Sequence, residues 1–189
     1  MMNSNLNWKI RQACRILQAG GVIAYPTEAV YGLGCDPLNA DAVHKILAMK
    51  KRPVDKGLIL VAANLKQLQP YLQPLSKEQT ERLQQSWPGP TTWIVPARHD
   101  VPVWIRGRHS SIAVRVSAHP VIQGLCKVFG GPIISTSANR SGIAPARTAM
   151  QVRRGLDIPA DYILNAQLGG ADKPTQIYDL LSGRTIRSS

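Results

Sequence analysis

The chain has 189 residues, a length that suits one domain, residues 1–189, better than two, and that buries about 70% of the unfolded surface without a metal or disulfide staple. Hydrophobic residues make up 44% and aromatic residues 5%, which fits an ordinary globule and argues against a base-stacking surface rich in Phe and Tyr. The 23 Lys and Arg outnumber the 11 Asp and Glu for a net charge of +12, spread along the chain rather than gathered in a tail, which points to a folded positive surface and a polyanionic partner such as nucleic acid or a nucleotide.

In chain order, Trp8 to Ala19 places Ile10, Ala13, Cys14 and Leu17 on one helical face, and Gly20-Gly21 ends the helix. VIAYP then reads as a buried strand stopped by Pro26. Asp41 to Lys50 is a second helix with Val43, Ile46 and Leu47 inward, and GLILVAA is a strand. Ser76 to Gln79 is a capping box opening a helix to about Trp87. TTWIVPA and SIAVRVS are strands, with the proline-rich stretch Pro96 to Pro102 as a long loop between them. His119 to Phe129 is a helix stopped by Gly130-Gly131, and PIISTSA is a strand. Thr148 caps a helix through Arg154, and DYILNA, TQIYDLL and RTIRS are short closing strands. The interleaving predicts an α/β domain. The last strands follow too closely for helical crossovers, so the sheet should be mixed, in part antiparallel.

Cys14, Cys35 and Cys126 are odd in number and far apart, so they form neither a metal spacing nor a disulfide framework and read as small core residues. The four histidines share no ligand spacing, and no metal site is expected. No apolar run is long enough for a signal peptide or a membrane span, which predicts a cytoplasmic protein without a membrane partner. There is no P-loop, and the Gly32–Gly34 pair is followed by Pro37 where a dinucleotide fingerprint needs its third glycine. Nothing local supports a Ser-His-Asp triad.

Four stretches carry chemistry. PTEAVYGLGCD, Pro26 to Asp36, reads by itself as a strand-to-helix turn, yet Thr27 and Glu28 sit where strand ends present side chains to a crevice. MKKRP puts Lys50, Lys51 and Arg52 at a helix C-terminus, where the helix dipole alone accounts for cations. Arg115 stands inside the apolar strand SIAVRVS, either on its solvent face or as a forked donor for a carboxylate or phosphate in a cleft. STSANRSG supplies Ser135, Thr136, Ser137 and Asn139 directly after a buried strand, either a plain loop or an anion site rich in hydrogen-bond donors.

These stretches, with WPGPTT at Trp87 to Thr92, occur in the order found in the Sua5/YciO/YrdC family, and from about Val22 onward the chain resembles its short bacterial threonylcarbamoyl-AMP synthases. The resemblance implies a twisted α/β sheet, mixed parallel and antiparallel, with flanking helices and a basic concave cleft. It implies a nucleotidyltransferase that makes L-threonylcarbamoyladenylate and pyrophosphate from ATP, L-threonine and bicarbonate or carbon dioxide, with Mg2+ expected on the ATP. Downstream threonylcarbamoyl-transferase proteins then act on adenosine 37 of tRNAs that read codons beginning with A, and tRNA or other RNA meets the basic face. Carried over by position, Lys50 and Arg52 are catalytic and bind the nucleotide together with Ser111, Ser137, Asn139 and Arg187. Thr27, Arg115, Ser135 and Thr175 bind threonine, with Arg115 on its carboxylate. Thr175 stands where the family commonly has serine, and Val61 stands near a family histidine.

Two other classes fit the same letters. A non-catalytic RNA-binding module in tRNA or ribosome maturation would use the same net charge. A carbamoyl-handling relative of the hydrogenase-maturation proteins would need a much longer chain.

Overall fold

In the computed structural model, which describes residues 4–173 and 175–188, the apolar spacing near the N-terminus produces helix α1, Ser4–Gln18, with Ile10, Ala13, Cys14 and Leu17 buried. Strand β1, Ile23–Pro26, is buried at every position. Strand β2, Tyr31–Gly34, folds straight back on it, with Ile23 opposite Gly34 and Pro26 opposite Tyr31. The stretch after Pro26 is therefore a hairpin loop and not the expected strand-to-helix turn. The reason is local: the Thr27 N–H and hydroxyl both donate to the Val30 carbonyl, at 3.0 and 2.7 Å, and close the loop at once.

Helix α2, Ala40–Lys50, is capped by the Asn39 side chain and buries Val43, Ile46 and Leu47 as expected. A 3-10 turn at Val54–Lys56 leads into strand β3, Ile59–Ala62, and the short helix α3, Leu65–Leu68, follows. Helix α4, Lys77–Ser86, opens on the Ser76–Gln79 capping box, and strand β4, Thr91–Pro96, follows it. The proline-rich stretch Pro96 to Pro102 leads into a short helix, α5, Val103–Arg106, before strand β5, Ser111–Val116. Helix α6, Pro120–Phe129, ends at Gly130, whose φ of 88° completes the C-cap. Strand β6, Ile133–Ser137, is followed by helix α7, Ala149–Gly155, and by strands β7, Tyr162–Ile163, β8, Gln176–Asp179, and β9, Thr185–Arg187. The unexpected elements β2, α3 and α5 are each four residues long, too short to show a period.

Among the described residues the strands form one sheet in the order β7-β1-β2-β6-β3-β5-β4-β8-β9. β1/β7, β3/β5 and β4/β8 are parallel, and the other neighbours are antiparallel. The mixed sheet expected from the close spacing of the late strands is thus observed. One face packs on α1 and α6, where Leu17 and Leu125 meet Ile23, Tyr25, Val61 and Ile133. The other packs on α2 and α4, where Ile46 and Leu83 share a core with Leu33, Leu60, Val114 and Ile134. Alternation along β1 divides Ile23 and Tyr25 from Val22 and Ala24 between the two cores. No helix among the described residues is long and apolar enough to cross a membrane.

Candidate functional site

The sheet register sets the scale of the site. Val61 on β3 lies between Arg115 on β5 and Ile133 on β6, and Ile59 lies between Ala113 and Ser135. Ser137 is thus four residues along β6 from the level of Arg115, a distance of about 13 Å at the usual rise per residue. Between these levels the sheet lines a cavity of about 740 Å³. Its walls include every residue expected to bind the nucleotide or threonine: Thr27, Lys50, Arg52, Ser111, Arg115, Ser135, Ser137, Asn139, Thr175 and Arg187. Glu28 and Lys51 are not on them.

At one end Lys50 closes helix α2. Lys51 takes a left-handed conformation, φ 50°, and the Arg52 N–H returns to the Leu47 carbonyl at 3.0 Å. This turn separates three consecutive cations. Lys51 points outward to Asp157 at 3.6 Å, whereas Lys50 and Arg52 line the cavity. The reading of this stretch as helix-dipole cations therefore fails for Lys50, a residue only 4% exposed whose ammonium donates to the Ser137 carbonyl, to the Asn139 carbonyl at 2.8 Å and to Asn139 Oδ1 at 3.2 Å. Burial, and secondarily the neighbouring Arg52, pulls its pKa down to about 8. Arg52 donates to the Gly57 carbonyl at 2.9 Å, which ties it to the turn before β3. The Asn139 loop is anchored by the Ser141 N–H on the Lys50 carbonyl, 3.1 Å, and by Arg140 on Asp157, 3.0 Å.

At the other end Arg115 is 5% exposed and faces the cavity, so the solvent-face alternative is wrong. Its Nη1 donates to Thr175 Oγ1 at 2.8 Å, and its Nη2 lies 3.5 Å from Glu28 Oε2. Arg187 donates to the Thr175 carbonyl at 2.7 Å, and its pKa is lowered by burial and by Arg115. Val61, the residue near the family's histidine position, is fully buried in the apolar core under α6 and accepts from the Cys126 thiol.

The sequence did not single out Lys56, Arg106 and His109, which also line the cavity beside Ser111. They lie on the 3-10 turn before β3 and at the end of α5 and just beyond it, and carry no pattern; the signal was the glycine pair Gly57 and Gly107, whose positive φ lets the two segments pack backbone to backbone. The cysteines are buried and unpaired, and burial raises all three thiols, Cys14 to about 11, so none is an activated nucleophile. Among the described residues no cluster of His, Cys, Asp and Glu could hold a metal, and no carboxylate lines the cavity.

A family model described as Telomere recombination, Sua5/YciO/YrdC, matches residues 15–189. A threonylcarbamoyl-AMP synthase of Nitrosococcus oceani is 51% identical over 181 residues, 96% of this chain and 98% of that one. One from Cellvibrio japonicus is 48% identical over 189 residues and the whole of both chains. Among solved structures, P. abyssi Sua5 complexed with L-threonine superposes with a TM-score of 0.87 at 32% identity, covering 95% of this chain; this chain spans 53% of that one. E. coli YciO superposes with a TM-score of 0.81 at 27% identity, over 95% of this chain and 87% of that one. With a matched region spanning nearly its whole length and relatives at about half identity, the chain belongs to the Sua5/YciO/YrdC family.

Proposed function

We infer that this chain is a threonylcarbamoyl-AMP synthase, which joins ATP, L-threonine and bicarbonate or carbon dioxide into L-threonylcarbamoyladenylate and releases pyrophosphate. The observation that carries the reading is the convergence of the Lys50 ammonium on the Ser137–Asn139 turn, in one cavity with Arg115. The full-length relatives bearing that name support it.

The chemistry asks for this arrangement. The threonine amine takes up carbon dioxide as a carbamate. A carbamate oxygen then attacks the α-phosphorus, and the bond to the β-phosphate oxygen breaks. Both reagents are anions and repel, so the site has to hold them in line and offset charge on the phosphate oxygens. We assign the phosphates to Lys50, Arg52, Ser137 and Asn139, with Ser111 and Arg187 on the rest of the nucleotide. We assign threonine to Thr27, Ser135 and Thr175, with its carboxylate on Arg115. No side chain has to become a covalent nucleophile. A magnesium ion would enter on the phosphates, because the cavity wall offers hydroxyls, amides and cations and no carboxylate among the described residues. We place the reaction in the cytoplasm, upstream of proteins that pass the threonylcarbamoyl group to adenosine 37 of tRNA. The +12 charge would draw tRNA or other RNA to the basic face.

Incubation with ATP, threonine and bicarbonate, followed by mass detection of the adenylate, tests this. The expected outcome is adenylate with threonine-dependent pyrophosphate. An RNA-binding module without catalysis gives neither.

A further inference from the structure

Behind Arg115 lies a carboxylate that the proposed chemistry does not use. Glu28 is 9% exposed, follows the cavity residue Thr27 and is not itself on the cavity wall. Its Oε1 accepts from the Ser117 hydroxyl at 2.6 Å, and that hydroxyl in turn accepts from the His119 N–H at 3.0 Å. Its Oε2 has no hydrogen-bond donor and lies 3.5 Å from Arg115 Nη2. The segment after β7 packs on the Thr27–Glu28 backbone. The Gly169 N–H bonds the Thr27 carbonyl at 3.0 Å and the Ala171 N–H bonds the Glu28 carbonyl at 2.9 Å; a Cβ at Gly169 would lie 2.9 Å from Glu28 Cα. The same segment continues to Thr175, the acceptor for the other guanidinium nitrogen.

We propose that Glu28 is a positioning residue for the amino-acid substrate: fixed by Ser117, it holds the back edge of the Arg115 guanidinium so that the front edge meets a carboxylate in one orientation. The inference rests on the proposed synthase reading, in which Arg115 takes that carboxylate. A guanidinium is planar, and its donors recognise a carboxylate only when the plane is set. Thr175 fixes one nitrogen, which leaves rotation about that bond, and Glu28 removes this freedom. Glu28 also offsets the charge of Arg115, so Arg115 contributes direction more than attraction.

The test is Glu28→Gln, which keeps the size and the acceptor for Ser117 and turns an amide N–H₂ toward the guanidinium. The expected loss is about 10–100-fold in kcat/KM for threonine, the scale of a misplaced reactant, with the ATP dissociation constant unchanged. The preference of the wild type for threonine over threonine amide should shrink by a similar factor, a readout that a general loosening of the fold would not move. Ser117→Ala, which frees Glu28 without removing it, should give a smaller loss of the same kind if Glu28→Gln fails to fold. Unchanged or tighter use of threonine in a folded Glu28→Gln overturns the proposal, because the carboxylate would then only compete with the substrate for Arg115. A wild type that turns over threonine while the variant matches it defeats the positioning role alone. A wild type that neither turns over nor binds threonine by calorimetry defeats the synthase reading and this inference with it.

Discussion

Lys50 and Arg115 are both buried cations on the wall of one cavity, and they are held in opposite ways. Lys50 rests on carbonyl and amide oxygens of the Ser137–Asn139 turn, with no acidic partner within ion-pair distance among the described residues, and its pKa falls to about 8. Arg115 has its charge matched by Glu28 and its direction set by Thr175. The difference separates two tasks. An uncompensated cation attracts a polyanion and weakens the fold that holds it; a compensated one adds little attraction but presents fixed donors. In the proposed reaction the triphosphate needs the first and an amino-acid carboxylate needs the second.

The comparison breaks most visibly under substitution. Arg115→Ala should destabilise the fold by about 3–5 kcal/mol, because it strands the Glu28 carboxylate in the interior. For a chain of this size, that lowers the melting temperature on the order of 10 °C. Lys50→Met should leave the melting temperature at pH 7 unchanged or higher, since it removes a buried charge with no counter-ion. If the two variants lose equal stability, the contrast between the ends is wrong.

Activity sharpens it from the other side. Lys50→Ala and Arg52→Ala should each cost about 2–4 kcal/mol of transition-state stabilisation, a fall in adenylate formation of roughly 30- to 900-fold with the fold retained. Full activity in either folded variant would remove that residue from the reaction.

The smallest effect is the pH dependence. The folded protein holds Lys50 well below its ordinary pKa of 10.5, so the cost of burying the ammonium is fully present below about pH 8 and is relieved as pH rises from 8 toward 10.5. Over that window the stability of the wild type should rise relative to Lys50→Met. ATP affinity should move the other way and weaken by up to tenfold per pH unit above about 8, because phosphate prefers the protonated amine. A flat difference in both quantities would mean that the ammonium is not desolvated.

Much of the fold was legible because long helices and buried strands write their period into the sequence. Ile10, Ala13, Cys14 and Leu17 could not face anything but a core, and Ser76–Gln79 had to cap a helix. Strand β2 was not legible, since YGLG carries two glycines. The structure shows their use: a Cβ at Gly34 would lie 2.7 Å from the Ile134 carbonyl and 2.8 Å from the Tyr25 ring. At the site, the hydroxyls after Ile134 and the cations after α2 stood out as residue types, and the family resemblance brought them together. Their meeting depends on the left-handed turn at Lys51, which no residue type announces. Glu28 was visible at its strand end, but its tie to Ser117 spans 89 positions, and it takes the sheet order β1-β2-β6-β3-β5 to bring the two together.

The most direct measurement is a crossed titration, with ATP and threonine dissociation constants measured on Lys50→Ala and on Arg115→Ala. The account predicts that Lys50→Ala loses ATP and keeps threonine, whereas Arg115→Ala loses threonine and keeps ATP. Equal loss of both ligands in each variant, or the reverse assignment, would contradict it.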